Sequence, residues 1–344
     1  YIAHLNAPGI NVIGAGEPAL PGISIGHNER IAFGLTIFPI DQEDLYVYER
    51  KGNGYLYAGR QEPLQVIEET IAINGEASQK AQLRFTRHGP VVAETKAHVF
   101  AVRAAWLEPG MAPYFGSIEY MRAQNFRTFV GALNRWGAPS ENQVYADIDG
   151  NIGYKPAGRF PKRDNWDGLL PVPGDGRYEW NGYFDMDVLP EEYNPERGFS
   201  GTANAMSLPE GYPINKYRVG FEWSAPWRYK RLWEVLQNQD KHSVEDSTKL
   251  QRDYQSVFAR EVISRLPKLA TRVPAEGGTM MADWDHHLGR DSAAAALWNV
   301  WYHRHLEPAL MGMLDEEANS SNSPKLDTLT ALKLLQSKEG KEHA

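Results

Sequence analysis

PGISIGHNERIAFGLTIFPIDQEDLY, residues Pro21 to Tyr46, decides how the rest of the chain is read. Short apolar runs stand between the turn formers Gly22, Asn28 and Pro39, and the run from Ile31 to Phe38 is apolar at both odd and even positions. Side chains alternate across a strand, so a run apolar on both faces predicts a strand lying between two covering layers. INVIGA before it and DLYVYER after it, bounded by Gly, Pro or Asn, extend this reading over Tyr1 to Tyr57. Further strands are expected at Leu64–Ile73, Gln82–Phe85, Val91–Ala93 and Val99–Ala104.

The period changes over Tyr114 to Trp136. Phe126, Phe129, Val130, Leu133 and Trp136 recur at helical spacing, with Asn125 ahead of them as an N-cap. Asp149-Gly150, between Gln143–Asp147 and Ile152–Tyr154, predicts a hairpin closed by a type I′ turn. Gly158 to Asn204 is rich in Pro, Gly and aromatics without a clear period, and a long ordered loop region is expected there. Beyond Arg228 the pattern is helical. One helix ends through Arg231–Leu236, Ser243 caps another ahead of Glu245 and Asp246, and Ala293–Leu306 makes a third. Asn319–Pro324 reads as a loop, and the closing KEGKEHA as a frayed end. There is no internal repeat.

The 344 residues carry a formal charge of −8, with Lys and Arg scattered singly. No basic stripe is left to neutralise a phosphate backbone, so a nucleic-acid partner is not expected. No apolar run approaches the roughly 20 residues that cross a bilayer, so no membrane span is expected. Cysteine is absent. That removes disulfides, thiolate metal sites and a thiol nucleophile together, and any covalent catalyst must be an oxygen or an amine. Cysteine avoidance suits an exported bacterial protein, periplasmic or secreted. The opening Tyr1-Ile2-Ala3-His4, without Met, reads as a processed or trimmed product.

Four groups of residues carry candidate chemistry. Asp41 and Asp44, three apart after Pro39, can face one hard cation with intervening carbonyls as further ligands, or form a solvated acidic turn. Asp147-Ile148-Asp149-Gly150-Asn151 opens like a calcium loop but lacks the downstream Glu and is flanked by strands, so the hairpin reading prevails. His286-His287 and the pair His303, His305 have spacings that put no two rings on one helix face, unlike a zinc pair. In Thr202-Ala203-Asn204-Ala205, Asn204 is either a turn former or an amide donor to a developing oxyanion. HExxH does not occur, and Gly14-Ala15-Gly16 is not followed by a GxGxxG pattern.

Taken together these strings resemble the penicillin acylase (penicillin amidase) family. The matching segments are Pro21–Gly34 with Thr36, Asp41–Tyr46, Arg87-His88-Gly89-Pro90, Tyr145–Asp147 through Gly153-Tyr154, Pro171–Gly174 and Thr202–Asn204. Trp223–Arg228, Arg231-Leu232, Leu250-Gln251 and Asp253 carry the match into the helical part. They occur in the family's order over most of the chain.

The resemblance implies an α+β chain built on the four-layer αββα sandwich of N-terminal nucleophile hydrolases. It places the core over residues 1–236 and an added helical region over 237–344. In that family a precursor cuts itself and leaves a β chain headed by Ser, whose hydroxyl attacks an amide while its own α-amine is the base. An α-amine with a pKa near about 7.7–8.0 suits general-base work close to neutrality. Here the nucleophile is expected on a segment preceding Tyr1, a C-terminal portion beyond Ala344 is expected to be missing, and Ser24 is not given the role.

Carried over by position, the Ile37 N–H and the Asn204 side chain match the oxyanion donors, and Arg228 an arginine that orients them. Asp41, the Glu43 carbonyl, Asp44, the Gly168 carbonyl and Asn215 match a calcium site completed from an α chain. Ile25 and Glu141 fall at walls of the acyl pocket. The expected reaction is hydrolysis of an acyl-amide bond, of a β-lactam side chain, an acyl-homoserine lactone or a related small N-acyl compound, with the α chain and the Ser-headed segment as partners. A non-catalytic scaffold or binding relative is the rival. A glycosidase, suggested by the ten Trp and many acids, needs two carboxyl groups about 5–9.5 Å apart, and no acid pair is singled out for that.

Overall fold

The structure is a computed structural model that describes residues 1–18, 21–111, 115–266, 275–314 and 326–337, without the side chains of 115 and 275. The expected loop at Asn319–Pro324 and the expected frayed end lie outside the described residues. The chain divides into two compact units, Tyr1–Trp223 and Ser224–Ala344. The boundary falls ahead of the helix Trp227–Gln237, whereas the sequence reading draws it after residue 236.

The first unit opens with β1 (Ile2–Ala7), β2 (Ile10–Ala15), β3 (Ile25–His27), β4 (Ile31–Ile37), β5 (Glu43–Lys51), β6 (Gly54–Tyr57) and β7 (Arg60–Pro63). β8 (Gln65–Ile71), β9 (Gln79–Thr86), β10 (Gly89–Glu94) and β11 (His98–Ala104) follow. After the helices α1 (Phe115–Tyr120) and α2 (Phe126–Leu133) come β12 (Glu141–Asp147), β13 (Ile152–Ala157), β14 (Phe160–Arg163), β15 (Val172–Pro173), β16 (Trp180–Phe184) and β17 (Glu192–Tyr193). One antiparallel sheet has the order β1-β2-β3-β4-β12-β13-β17. A second runs β7-β6-β5-β11-β10-β9-β8, with β15 parallel to β5, and β14 pairs with β16.

Helix α2 starts where its cap predicts. The Asn125 side chain accepts from the Thr128 N–H, and Thr128 Oγ1 returns the bond to Asn125 N. Phe126, Phe129 and Leu133 form its buried stripe and pack with Tyr120 of α1 on Ile31, Phe33 and Tyr145 of the first sheet. Phe33 lies 4.7 Å from Tyr120 and Phe129 5.4 Å from Tyr145 between ring centroids. Burial at about 25 cal/mol per Å² of apolar surface makes such a layer the main stabiliser of the sheet it covers.

The opposite face of the strand Ile31–Phe38 differs from expectation: Ala32 and Thr36 are exposed, and so is Ile37 at the strand's end. The described residues cover one face of β4 only. Hydropathy registers a face that is apolar without showing what covers it.

Two further expectations are corrected. The β12–β13 hairpin does not turn as type I′, because Gly150 alone in it has a positive φ, 88°. Gly150 N–H closes onto Asp147 O, and Asp147 Oδ1 accepts from the N–H groups of Asp149 and Asn151. A type I turn with a left-handed Gly after it results. Within Gly158–Asn204, β14, β15, β16 and β17 pair into sheets. They are too short, and too interrupted by Pro and Gly, for a period of two to register.

The second unit holds α3 (Trp227–Gln237), α4 (Val244–Gln251), α5 (Val257–Ser264), α6 (Ala275–Ala282), α7 (Ala293–Trp301), α8 (Glu307–Met311) and α9 (Thr328–Gln336). Ser243 caps α4 in a reciprocal box with Asp246. A π-type turn, Tyr302–Leu306, links α7 to α8. Trp284, Trp298, Tyr302, Leu310 and Leu335 lie at the centre of its own apolar core.

Candidate active site

On the open face of the first sheet, four polar side chains converge on the end of β4. Phe38 N–H donates to Ser140 O, and the register pairs Thr36 with Asn142 and Ile37 with Glu141. Hydrogen-bonded and non-hydrogen-bonded pairs alternate in an antiparallel ladder, so the Ile37 N–H points away from β12. On that flank β3 pairs with β4 only as far as Gly26↔Phe33.

Asn204 Nδ2 donates to Ile37 O at 3.0 Å, which brings its carboxamide to the Ile37 peptide. The segment that carries it is a tight turn. Ala203 and Asn204 have φ of 55° and 58°, and Ala205 N–H closes onto Thr202 O at 3.4 Å. Two consecutive positive φ values are those of a type I′ turn, tolerable for Asn and strained for Ala. Thr202 Oγ1 lies 2.8 Å from Thr36 Oγ1 and ties the turn to β4.

Asn142 and Tyr154 complete the cluster. Asn142 Nδ2 donates to Thr36 Oγ1 at 3.1 Å and to Ile37 O at 3.0 Å, and Tyr154 O–H donates to Asn142 Oδ1 at 2.6 Å. The sequence reading does not single out these two for a role. Their only signal is register: Asn142 sits opposite Thr36, so it shares the face that carries Thr36.

Beside this cluster lies bare backbone. A Cβ placed on Gly34 would meet Val144 Cγ2 at 3.5 Å and Ile25 Cγ2 at 3.8 Å, so Ile25 and Val144 flank Gly34 on the Thr36 side of the sheet. Glu141 is elsewhere. It is 2% exposed and alternates with Asn142, so it leaves β12 on the opposite face and is no wall of this surface. Ser24 is buried too, its carbonyl accepting from Tyr120 O–H.

The acidic loop is arranged around a cation of the chain's own. Arg163, at the end of β14, has Nε 2.8 Å from Asp44 Oδ2, and Nη2 3.2 Å from Asp41 Oδ2, 3.1 Å from Asp41 O and 3.4 Å from Glu43 O. Trp166 and Trp180 donate their indole N–H groups to the same Asp44 carboxylate. Burial pushes the Asp41 carboxyl up to about 6 against the pull of Arg163. Gly168 closes in on this loop at φ 92°, where a Cβ would stand 2.2 Å from Asp41 Oδ2. Asn215 lines a polar cavity of about 560 Å³ with Arg163, Asp164, Asp167, Lys216 and Arg218. In this arrangement the oxygens of Asp41, Glu43 and Asp44 fit a guanidinium, and a calcium ion among them would have to displace it. Arg163 has no sequence signal of its own.

Arg228 stands in the first turn of α3, in the second unit, with Nη2 3.4 Å from Ser224 Oγ. His303 pairs with Glu307 at 2.8 Å, and His286 adopts φ 63°.

The penicillin amidase family model matches residues 1–340. Acyl-homoserine lactone acylase QuiP of Pseudomonas fluorescens (strain Pf0-1) is 30% identical over 351 residues, covering 93% of this chain and 41% of that protein. Penicillin G acylase of Escherichia coli is 30% identical over 248 residues, 70% of this chain and 29% of that protein. A solved structure of thermostable penicillin G acylase from Alcaligenes faecalis aligns with a TM-score of 0.79 at 24% identity, over 98% of this chain and 66% of that one. The two share a fold. The chain spans about two fifths of the length of the first of these curated relatives.

Proposed function

The chain belongs to the penicillin amidase family, and we propose that it forms the oxyanion-binding part of an enzyme that hydrolyses an acyl-amide bond. The observation that carries this reading is the Asn204 carboxamide at hydrogen-bond distance from the Ile37 peptide. In a dry site, two N–H donors aimed at one point stabilise the oxygen of a tetrahedral intermediate more than that of the ground-state carbonyl. Asn204 Nδ2 carries two hydrogens, and the Ile37 carbonyl fixes the plane in which both lie.

The nucleophile in this reading is the hydroxyl of a Ser-headed segment of the same precursor. It attacks the carbonyl carbon while its α-amine takes the proton. The carbonyl oxygen becomes the oxyanion held by Ile37 N–H and Asn204 Nδ2. Collapse breaks the C–N bond, the amine leaves with the proton, and water then cleaves the Ser ester to the acid. The partners are that segment and the α chain, in a periplasmic or secreted setting.

Ile25, Gly34 and Val144 offer an apolar, flat surface beside the donors. It suits an extended aliphatic acyl chain, such as that of an acyl-homoserine lactone. The test is Asn204→Ala in the full-length gene product, read by release of free amine across acyl-chain lengths. A fall in kcat of about 10²–10³ is expected. Undiminished turnover, or no amide cleavage by the unaltered protein, would sink the assignment.

A further inference from the structure

Resting on the oxyanion assignment above, we propose that Asn142, oriented by Tyr154, is a positioning residue of the oxyanion hole. Asn142 makes no contact that a substrate would share. Its Nδ2 bonds to Thr36 Oγ1 and Ile37 O, the two acceptors on either side of the peptide that carries the Ile37 N–H. Both hydrogens of that nitrogen are thereby committed to β4.

The orientation of the amide is not arbitrary. Tyr154 O–H donates to Asn142 Oδ1. With the amide flipped, Oδ1 would face the Ile37 carbonyl, oxygen against oxygen, so the arrangement admits one rotamer. Asn142 is 1% exposed and Tyr154 3%, where water cannot substitute for a lost partner and an unmade hydrogen bond is costly.

Asn142 and Asn204 share one acceptor, Ile37 O, from different elements. Asn142 thus holds the same carbonyl that anchors the catalytic carboxamide, and through Thr36 it also reaches Thr202 and the turn that carries Asn204. Loosening it shifts both proposed oxyanion donors. Displacements near 1 Å cost about 10²-fold in rate when they misplace a reacting group.

The test is a mutant cycle in the full-length gene product, assayed on N-decanoyl-homoserine lactone and benzylpenicillin, whichever turns over faster. Asn142→Leu and Tyr154→Phe are each expected to lower kcat by about 10–100-fold, with KM within about twofold. In an Asn204→Ala background the same substitutions should lower kcat by a smaller factor, because of the two donors they position only the Ile37 N–H remains. A merely structural role would lower the melting temperature and the amount of folded enzyme equally in both backgrounds, leaving kcat per folded molecule unmoved. Unchanged kcat, or the same fold-loss with and without Asn204, overturns the proposal. Should Asn142→Leu fail to fold, Tyr154→Phe, which removes one hydroxyl, decides alone. Full activity of Asn204→Ala by itself overturns the oxyanion assignment and this proposal with it; loss in Asn204→Ala without loss in Tyr154→Phe overturns this proposal only.

Discussion

His88 has both ring nitrogens committed. Nε2 faces the Glu179 carboxylate at 2.9 and 3.0 Å, Nδ1 meets the Tyr48 hydroxyl, and the Tyr46 ring stacks at 3.8 Å. A neutral ring with its proton on Nε2 satisfies every partner, since Tyr48 then donates to Nδ1. Burial holds the His88 pKa below its ordinary value, and Glu179, pulling it upward, does not prevail. A depressed histidine keeps the folded state from taking up a proton that the unfolded chain accepts. Its contribution to stability is therefore complete above about pH 6.5 and is lost as pH falls from there through the folded pKa. His88→Gln should flatten that decline: urea midpoints at pH 7.5 and 5.5 should differ less in the variant than in the parent. Equal pH dependence in both proteins would rule this out. His88 was legible only as part of a family string, because Glu179 and Tyr48, which give it a role, are far from it in sequence. Asn204 was legible as either a turn former or an amide donor, and nothing in its neighbours chooses between the two. The face that Glu141 takes was not legible, because it depends on register, and register is not visible in a single strand.

At the scale of elements, what repeats locally was readable and what depends on distant partners was not. β4, the Asn125 cap of α2 and the Ser243 cap of α4 follow from neighbouring residues and lie where expected. β14 to β17 exist because other strands pair with them, and no local period announces that. β14 also delivers Arg163 into the loop that opens β5. The Arg163 side chain is 4% exposed and that of Asp44 1%, so this is a buried ion pair, whose loss on one side leaves an uncompensated charge. Arg163→Ala should cost about 3–5 kcal/mol of stability, measured by urea unfolding. With the guanidinium in place, chelator should leave the parent's melting temperature unchanged, because an ion that binds the native state would otherwise contribute to it by mass action. A clear drop on chelation would instead put a divalent ion among the oxygens of Asp41, Glu43 and Asp44.

At the scale of the whole molecule, family membership was legible from the order of strings, each weak alone, whereas the division of the chain was not. The helix Trp227–Gln237 continues the matching strings, and a boundary drawn from motifs therefore falls after it. The physical boundary is set by which core a segment joins, and Trp227 packs with Phe258 at 5.4 Å and bonds to Thr328 Oγ1 at 2.8 Å, both in the second unit. That unit has its own buried centre in Trp284, Trp298, Tyr302, Leu310 and Leu335. A segment with a core of its own and mostly local helical contacts has what independent folding requires. A polypeptide of residues 224–344 should therefore show helical circular dichroism and one cooperative thermal transition. Trp298→Ala should then destabilise that polypeptide by about 3–5 kcal/mol, the usual cost of emptying a large buried site. The same substitution in the full chain should give a value within about 0.5 kcal/mol of it, since the contacts removed lie inside the unit. A broad, non-cooperative melt of the isolated polypeptide with bound hydrophobic dye would show that its centre is completed from outside.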